Sequence, residues 1–83
     1  MLYEFYGTEC PHCERMRNVV ESVEKKHNVT FERKEVWHDE DNLAFLKECD
    51  KNDECGGVPF FYNDETGKWI CGEATEEELE SII

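Results

Sequence analysis

The chain has 83 residues, which suffices for a single domain spanning residues 1–83 with a small hydrophobic core. Its 21 acidic and nine basic residues give a formal net charge of −12, which argues against nucleic acid as a partner because phosphate binding depends on clustered Lys and Arg. No segment reaches the roughly 20 apolar residues that span a bilayer, and an anionic membrane would repel the chain. No basic start leads into an apolar run, so we expect a cytoplasmic monomer without a signal peptide.

The first half of the chain predicts a strand–helix–strand unit. Leu2–Tyr6 is a short aromatic run typical of a strand, although Glu4 is out of place in it if the strand is central. From Pro11 onward apolar residues recur at helical spacing, and Asn28 provides a stop after about four turns. Val29–Trp37 is then a second strand, whose charged middle is typical of a sheet edge. A right-handed crossover with parallel strands is expected for such a unit.

The second half predicts a helix, a hairpin and a short final helix. Asp39 or Asp41 caps the second helix, and Phe60–Cys71 holds two antiparallel strands joined by a short turn. Thr75 and Glu78 form a capping box that opens the last helix. The apolar face of that helix is predicted to consist of Leu79, Ile82 and Ile83. The predicted fold class is therefore α/β, with a four-stranded mixed sheet and three helices in the order β-α-β-α-β-β-α.

The motif Cys10-Pro11-His12-Cys13, called the CPHC motif below, follows the first strand directly and opens the first helix. Pro is favoured at the first helical position because its missing N–H would have no partner there. The unpaired N–H groups and partial positive charge of a helix N-terminus stabilise a thiolate at Cys10, and His12 adds positive charge or a hydrogen bond. The motif predicts thiol–disulfide exchange, in which Cys10 attacks a substrate disulfide and Cys13 resolves the mixed disulfide. The redox disulfide of Cys10 and Cys13 is then the only redox group, without a bound cofactor.

A structural zinc site is the alternative for two cysteines at this spacing. Such a site needs a second pair of ligands, and Cys49 and Cys55, with five residues between them, fit that role poorly. No metal ligands are therefore predicted. Cys49 is expected to be a buried inert thiol, with a Cys49–Cys55 disulfide as a lesser alternative, and Cys71 is expected to be a surface or half-buried thiol.

With these features the chain resembles the thioredoxin superfamily, and in size and element order it is similar to glutaredoxins and small thioredoxin-like proteins. The second mark of the resemblance is Val58-Pro59. In that family a cis-proline after Val, Thr or Ile lies opposite the redox motif and presents backbone to an incoming peptide or glutathione. The resemblance implies that Val58, Pro59 and Gly72 bind substrate, and Tyr6 is predicted to line the same groove. The implied partners are a disulfide-containing protein and either a reductase or a low-molecular-weight thiol.

The resemblance leaves the electron donor open. Glutaredoxins usually have a Lys before the first cysteine and a Gly-Gly pair after the fourth strand, whereas this chain has Glu9 and Cys71-Gly72. A glutathione-dependent glutaredoxin is therefore the second prediction, with glutathione as co-substrate. A metal or iron–sulfur carrier is the third, and the intact cysteine pair disfavours it. The Pro-His dipeptide also resembles that of oxidising DsbA proteins, which implies that His12 makes the couple more oxidising than a neutral dipeptide would.

Overall fold

The computed structural model describes residues 1–83 and contains four strands and three helices, in the order β1 (Leu2–Tyr6), α1 (Pro11–His27), β2 (Phe31–Glu35), α2 (Glu40–Cys49), β3 (Phe60–Asn63), β4 (Trp69–Cys71) and α3 (Glu76–Glu80). The strands form one mixed sheet in the order β2-β1-β3-β4. β1 is parallel to β2 and antiparallel to β3, and β3 pairs antiparallel with β4. The predicted fold class is confirmed. None of the helices combines the length and apolarity needed to cross a bilayer.

Helix α1 begins and ends where its local sequence dictates. Cys10 is its N-cap in an extended conformation, and Pro11 occupies the first turn. Asn28 ends the helix with φ at 51°, in the left-handed region that Asn tolerates better than most residues. The buried face of the helix consists of Cys13, Met16, Val20 and Val23. The second cysteine of the CPHC motif is therefore part of the packed helix face as well as part of the site.

The core lies on both faces of the sheet. On one face α1 and α3 pack over the sheet, and this cluster consists of Leu2, Met16, Val20, Val23, Phe31, Phe61, Leu79 and Ile82. On the other face α2 covers a smaller cluster of Phe5, Val36, Leu46 and Phe60. β1 and β3 are the two inner strands of the sheet, and most of their side chains are buried.

Two details differ from the sequence predictions, and a third choice is resolved. β2 is shorter than predicted, because Val29 still donates its N–H to Glu24 at the end of α1 and the Glu35 carboxylate accepts the N–H of Trp37 in the turn that follows the strand. Of the two cap residues predicted for α2, Asp39 is the one that caps it. The prediction that Ile83 belongs to the buried face is wrong: the helix ends at Glu80, and Ile83 is 39% exposed.

Candidate redox site

The CPHC motif lies at the end of the sheet where β1 finishes. The carbonyl of Gly7 accepts the N–H of Cys10 at 3.1 Å, which turns the chain from the strand into α1. Cys10 Sγ in turn accepts the backbone N–H of Cys13 at 3.3 Å. Both cysteines are free thiols, and they are 4% and 2% exposed. The geometry is that of a dithiol with its first sulfur seated on the helix N-terminus, where backbone N–H groups stabilise negative charge.

Val58, Pro59 and Gly72 lie at the same end of the sheet. The antiparallel register of β1 and β3 pairs residues 5 and 60, so its continuation places Pro59 opposite Tyr6 and Val58 opposite Gly7. Gly72 donates its N–H to the Pro59 carbonyl at 2.8 Å and has a φ of 84°, a conformation that glycine adopts without penalty. The Val58–Pro59 peptide bond is cis. The fold thus gathers the substrate-binding residues predicted from the sequence beside the CPHC motif.

The backbone of Val58 is available for pairing. No hydrogen bond within the chain uses its N–H or its carbonyl, although the residue directly precedes the β3 segment. Unpaired backbone groups at a sheet margin are a template for an extended peptide, which adds main-chain hydrogen bonds as an extra strand would. Val58 lies opposite Gly7 in the continued register, and the Gly7 carbonyl accepts the N–H of Cys10.

The second thiol of the motif is held in its protonated form. Burial is the main reason that the pKa of Cys13 is raised to about 12, and the hydrogen bond with Cys10 and the negative charge of Glu4 contribute to the rise. Because the thiolate is the nucleophile in exchange, Cys13 must lose its proton before it can attack. A proton acceptor near this thiol is therefore a chemical requirement of any resolving step.

Glu4 is a buried carboxyl group that the sequence prediction did not assign to the site. It is 1% exposed in the middle of the sheet; its Oε1 accepts a hydrogen bond from Arg33 Nε at 3.2 Å, and its Oε2 has no partner. Burial raises the pKa of Glu4, and Arg33 opposes that rise. A carboxyl group with a raised pKa, coupled to a buried thiol, can accept and return a proton. The only feature of the sequence that points to this group is a carboxylate within an otherwise apolar strand.

Two cavities lie beside these groups. The larger, about 250 Å³, is lined by both cysteines of the motif and by Tyr6, and the smaller, about 80 Å³, is lined by Glu4. Arg17 and Arg33 line both cavities, and the Arg33 guanidinium lies 4.2 Å from the centre of the Tyr6 ring. Each cavity is large enough to hold water, and the two arginines lie on the boundary that the cavities share.

His12 faces away from the thiols. Its Nδ1 lies 2.7 Å from Oε2 of Glu73, and Arg15 donates to Oε1 of the same carboxylate at 2.9 Å. Hydrogen bonds from Arg15 and then from His12 lower the pKa of Glu73 to about 2. His12 makes no hydrogen bond with Cys10, and its ring contacts the Glu73 carboxylate instead.

The remaining cysteines pair differently from the sequence prediction. Cys55 and Cys71 form a disulfide, with 5.4 Å between their Cα atoms, so neither the Cys49–Cys55 alternative nor the free Cys71 is correct. The reason is topological: the loop after α2 crosses toward β4, which no local pattern indicates. Cys49 is a free thiol, as expected, but it is half-buried where a buried residue was predicted, and burial raises its pKa to about 11.

No model of a known protein family matches this chain, and a search among curated proteins finds no match either. The structure gathers no group of three or more His, Cys, Asp or Glu side chains that could hold a metal ion. What the fold and the site define is an α/β domain with a dithiol at a helix N-terminus, beside a buried carboxyl group and a free backbone margin.

Proposed function

We propose that this chain is a thiol–disulfide oxidoreductase of the thioredoxin-like class, acting through the dithiol of Cys10 and Cys13. The observation that carries the proposal is the position of Cys10 Sγ at the N-terminus of α1, where it accepts the Cys13 N–H at 3.3 Å. A sulfur in this position is a better acceptor as a thiolate than as a thiol, because the N–H and the helix dipole favour negative charge. A C-x-x-C pair placed in this way is suited to exchange with an external disulfide.

The reaction begins when the Cys10 thiolate attacks one sulfur of a substrate disulfide. A mixed disulfide forms, and the first substrate sulfur leaves as a thiolate and takes up a proton. The Cys13 thiol then gives its proton, through water in the cavity, to Glu4 and attacks the Cys10 sulfur. The second substrate sulfur leaves with a proton returned by Glu4. One disulfide is reduced to two thiols while Cys10 and Cys13 become a disulfide, and the reverse sequence oxidises a dithiol.

We assign substrate binding to the unpaired N–H and carbonyl of Val58, called the substrate margin below. An extended segment of a protein substrate pairs with the free N–H and carbonyl of Val58, which places its disulfide over Cys10. Pro59, Tyr6 and Gly72 border this position. Backbone pairing carries little sequence preference, so the enzyme accepts disulfides of different proteins, with selectivity set by neighbouring side chains.

Protein disulfides suit this site better than glutathione. Glutathione is a net anion, the chain carries a net charge of −12, and Glu9 precedes the motif where glutaredoxins usually have a Lys. The Arg15 guanidinium beside the motif is already engaged by Glu73. The electron donor is accordingly a reductase or a low-molecular-weight thiol other than glutathione, and a reducing cytoplasm is the compartment in which such a donor is found.

Trapping the mixed disulfide tests the assignment of the nucleophile. Cys13→Ser leaves Cys10 able to attack but removes the resolving thiol, so incubation with a synthetic peptide disulfide should yield a covalent adduct visible by intact mass. Cys10→Ser should yield none, because Cys13 is buried and protonated. Cys49→Ser, which alters a thiol outside the motif, is the matched control and should turn over the peptide as the wild type does. An adduct of equal yield on Cys10→Ser would overturn the proposal.

The effect of His12 is tested separately. A protonated His12 would place positive charge near the motif, so the reduction potential of the couple should fall in His12→Pro. The potential is measured by equilibration with dithiothreitol buffers and thiol counting. An unchanged potential would refute the idea that His12 makes the couple more oxidising.

A further inference from the structure

The disulfide between Cys55 and Cys71 lies next to the proposed substrate margin, which is the unpaired backbone of Val58. Cys55 lies three residues before Val58 in the loop that follows α2, and Cys71 ends β4, where it pairs with Phe60. The next residue, Gly72, donates its N–H to the Pro59 carbonyl. The disulfide therefore joins the two chain segments that border the margin.

The loop itself has few other anchors. Residues 54–58 form no backbone–backbone hydrogen bond with any other part of the chain. Three of their N–H groups, those of Glu54, Cys55 and Gly56, are accepted by one carboxylate, that of Asp50, at 2.9 to 3.2 Å. This carboxylate belongs to the start of the same loop, so it shapes the loop without fixing it to the sheet. Beyond side-chain packing against the α2 cluster, the disulfide is what ties the loop to β4.

We propose that Cys55–Cys71 is a second redox-active site, a clasp that controls the substrate margin of the oxidoreductase. In the closed form the clasp holds Val58 in place for peptide pairing, and in the open form residues 54–58 move and peptide binding weakens. The inference rests on the proposed function, because the clasp acts on its substrate margin.

Opening requires two equivalents of a thiol. A thiolate attacks the sulfur of Cys71, which is the exposed partner, and Cys55 leaves as a thiolate and takes up a proton. A second thiol attacks the external sulfur of this mixed disulfide and releases Cys71. The net change is one protein disulfide reduced to two thiols and two external thiols oxidised to one disulfide. The co-reactant is a neutral low-molecular-weight thiol or dithiol, since the loop is acidic and repels anions.

Exposure separates this disulfide from a structural one. Disulfides that are accessible to thiols are the labile and regulatory ones, whereas structural disulfides are shielded. Cys71 is exposed and Cys55 only half-buried, and both buried clusters of the core form without either sulfur at their centre. A permanent disulfide is also unusual in the reducing compartment expected for this chain.

The first test isolates the clasp from the CPHC motif. A Cys10→Ser/Cys13→Ser variant, in which the clasp is the only disulfide, is equilibrated with graded ratios of reduced and oxidised dithiothreitol. Free thiols are then counted by alkylation and mass, with circular dichroism recorded in parallel. Two thiols should appear in one transition with the fold intact. Loss of the fold together with the disulfide, or absence of the disulfide at every ratio, would overturn the proposal whatever the fate of the motif assignment.

The second test measures the effect on the margin. Hydrogen exchange is compared between the oxidised and the reduced, alkylated forms of the same variant. Opening the clasp should raise exchange about fivefold or more in residues 54–60 and leave α1 unchanged. Equal exchange in both forms would show that the disulfide does not control the margin.

Binding provides the third readout. A fully oxidised Cys55→Ser/Cys71→Ser protein oxidises a synthetic peptide that contains a Cys-x-x-Cys dithiol in single turnovers, with fully oxidised Cys49→Ser protein as the control. The half-saturating peptide concentration should rise about fivefold or more without the clasp, while the limiting rate stays near that of the control. An unchanged half-saturating concentration would refute the role in binding.

Discussion

Glu4→Gln should make the protein more stable near neutral pH and slower in its chemistry. The side chain is 1% exposed, Oε2 has no partner, and Arg33 satisfies only Oε1. An unsatisfied buried polar atom costs about 1–3 kcal/mol and a charged one more, so Gln keeps the first cost and removes the additional cost of the buried charge. We therefore expect the free energy of unfolding to rise by about 1–3 kcal/mol at pH 8. For a domain of this size that corresponds to several degrees in Tm, at about 4–8 °C per kcal/mol.

The pH dependence distinguishes this cause from a change in packing. Burial raises the folded-state pKa of Glu4 above 4.5, so the folded protein binds this proton more tightly than the unfolded chain does. The stability that the protonated form confers is complete below about pH 4.5 and is lost as pH rises through the folded pKa. The free energy of unfolding of Glu4→Gln should accordingly exceed that of the wild type by much at pH 8 and by little at pH 4. Urea denaturation across this range measures it.

A matched control and a kinetic counterpart complete the test. Glu32→Gln removes an exposed carboxylate from the neighbouring strand and should change stability by no more than about 0.5 kcal/mol. In Glu4→Gln the mixed disulfide on Cys10 should resolve about 10- to 100-fold more slowly, because Cys13 has lost its proton acceptor. An equal gain in stability at both pH values, or a loss at pH 8, would refute the reasoning and show that the pair with Arg33 is stabilising.

Two further substitutions probe the surroundings of the motif. A Cβ at Gly7 would overlap the indole ring of Trp37, so Gly7→Ala should destabilise the fold by about 1–3 kcal/mol in urea denaturation, and adding Trp37→Ala should restore part of the loss. If the single substitution is neutral, the contact is not tight in solution. Arg15 and His12 lower the pKa of Glu73 to about 2, so the Tm of Glu73→Gln should fall less than that of the wild type between about pH 4.5 and about pH 2. An identical Tm profile for both proteins would contradict the ion pair.

Local signals in the sequence predicted the elements well. The bounds of β1, the left-handed stop at Asn28 and the capping box of Thr75 and Glu78 are all present in the structure. Each depends on residues no more than four apart, where propensity and side-chain capping act directly. The charged middle of β2 likewise predicted an edge strand, and β2 is at the edge.

What the sequence could not supply depends on contacts between distant segments. The sequence marks Glu4 as out of place in its strand. Its proposed role as proton acceptor depends on Arg33, 3.2 Å away, and on Cys13 of α1, whose pKa responds to the charge of Glu4. The pairing of Cys55 with Cys71 depends on how a loop without regular structure returns to the sheet. Such geometry follows from tertiary packing, on which one sequence carries little local information.

The position of β1 in the middle of the sheet also has a consequence for biosynthesis. The strand leaves the ribosome early, but its antiparallel partner β3 begins at Phe60, so the sheet cannot close until that segment has been made. At about 5–20 residues per second, the motif thiols wait several seconds on an unfinished domain. Among the five cysteines of this sequence, Cys10 and Cys13 are made before Cys49, Cys55 and Cys71. The order of synthesis thus favours correct pairing at the motif before the second pair exists.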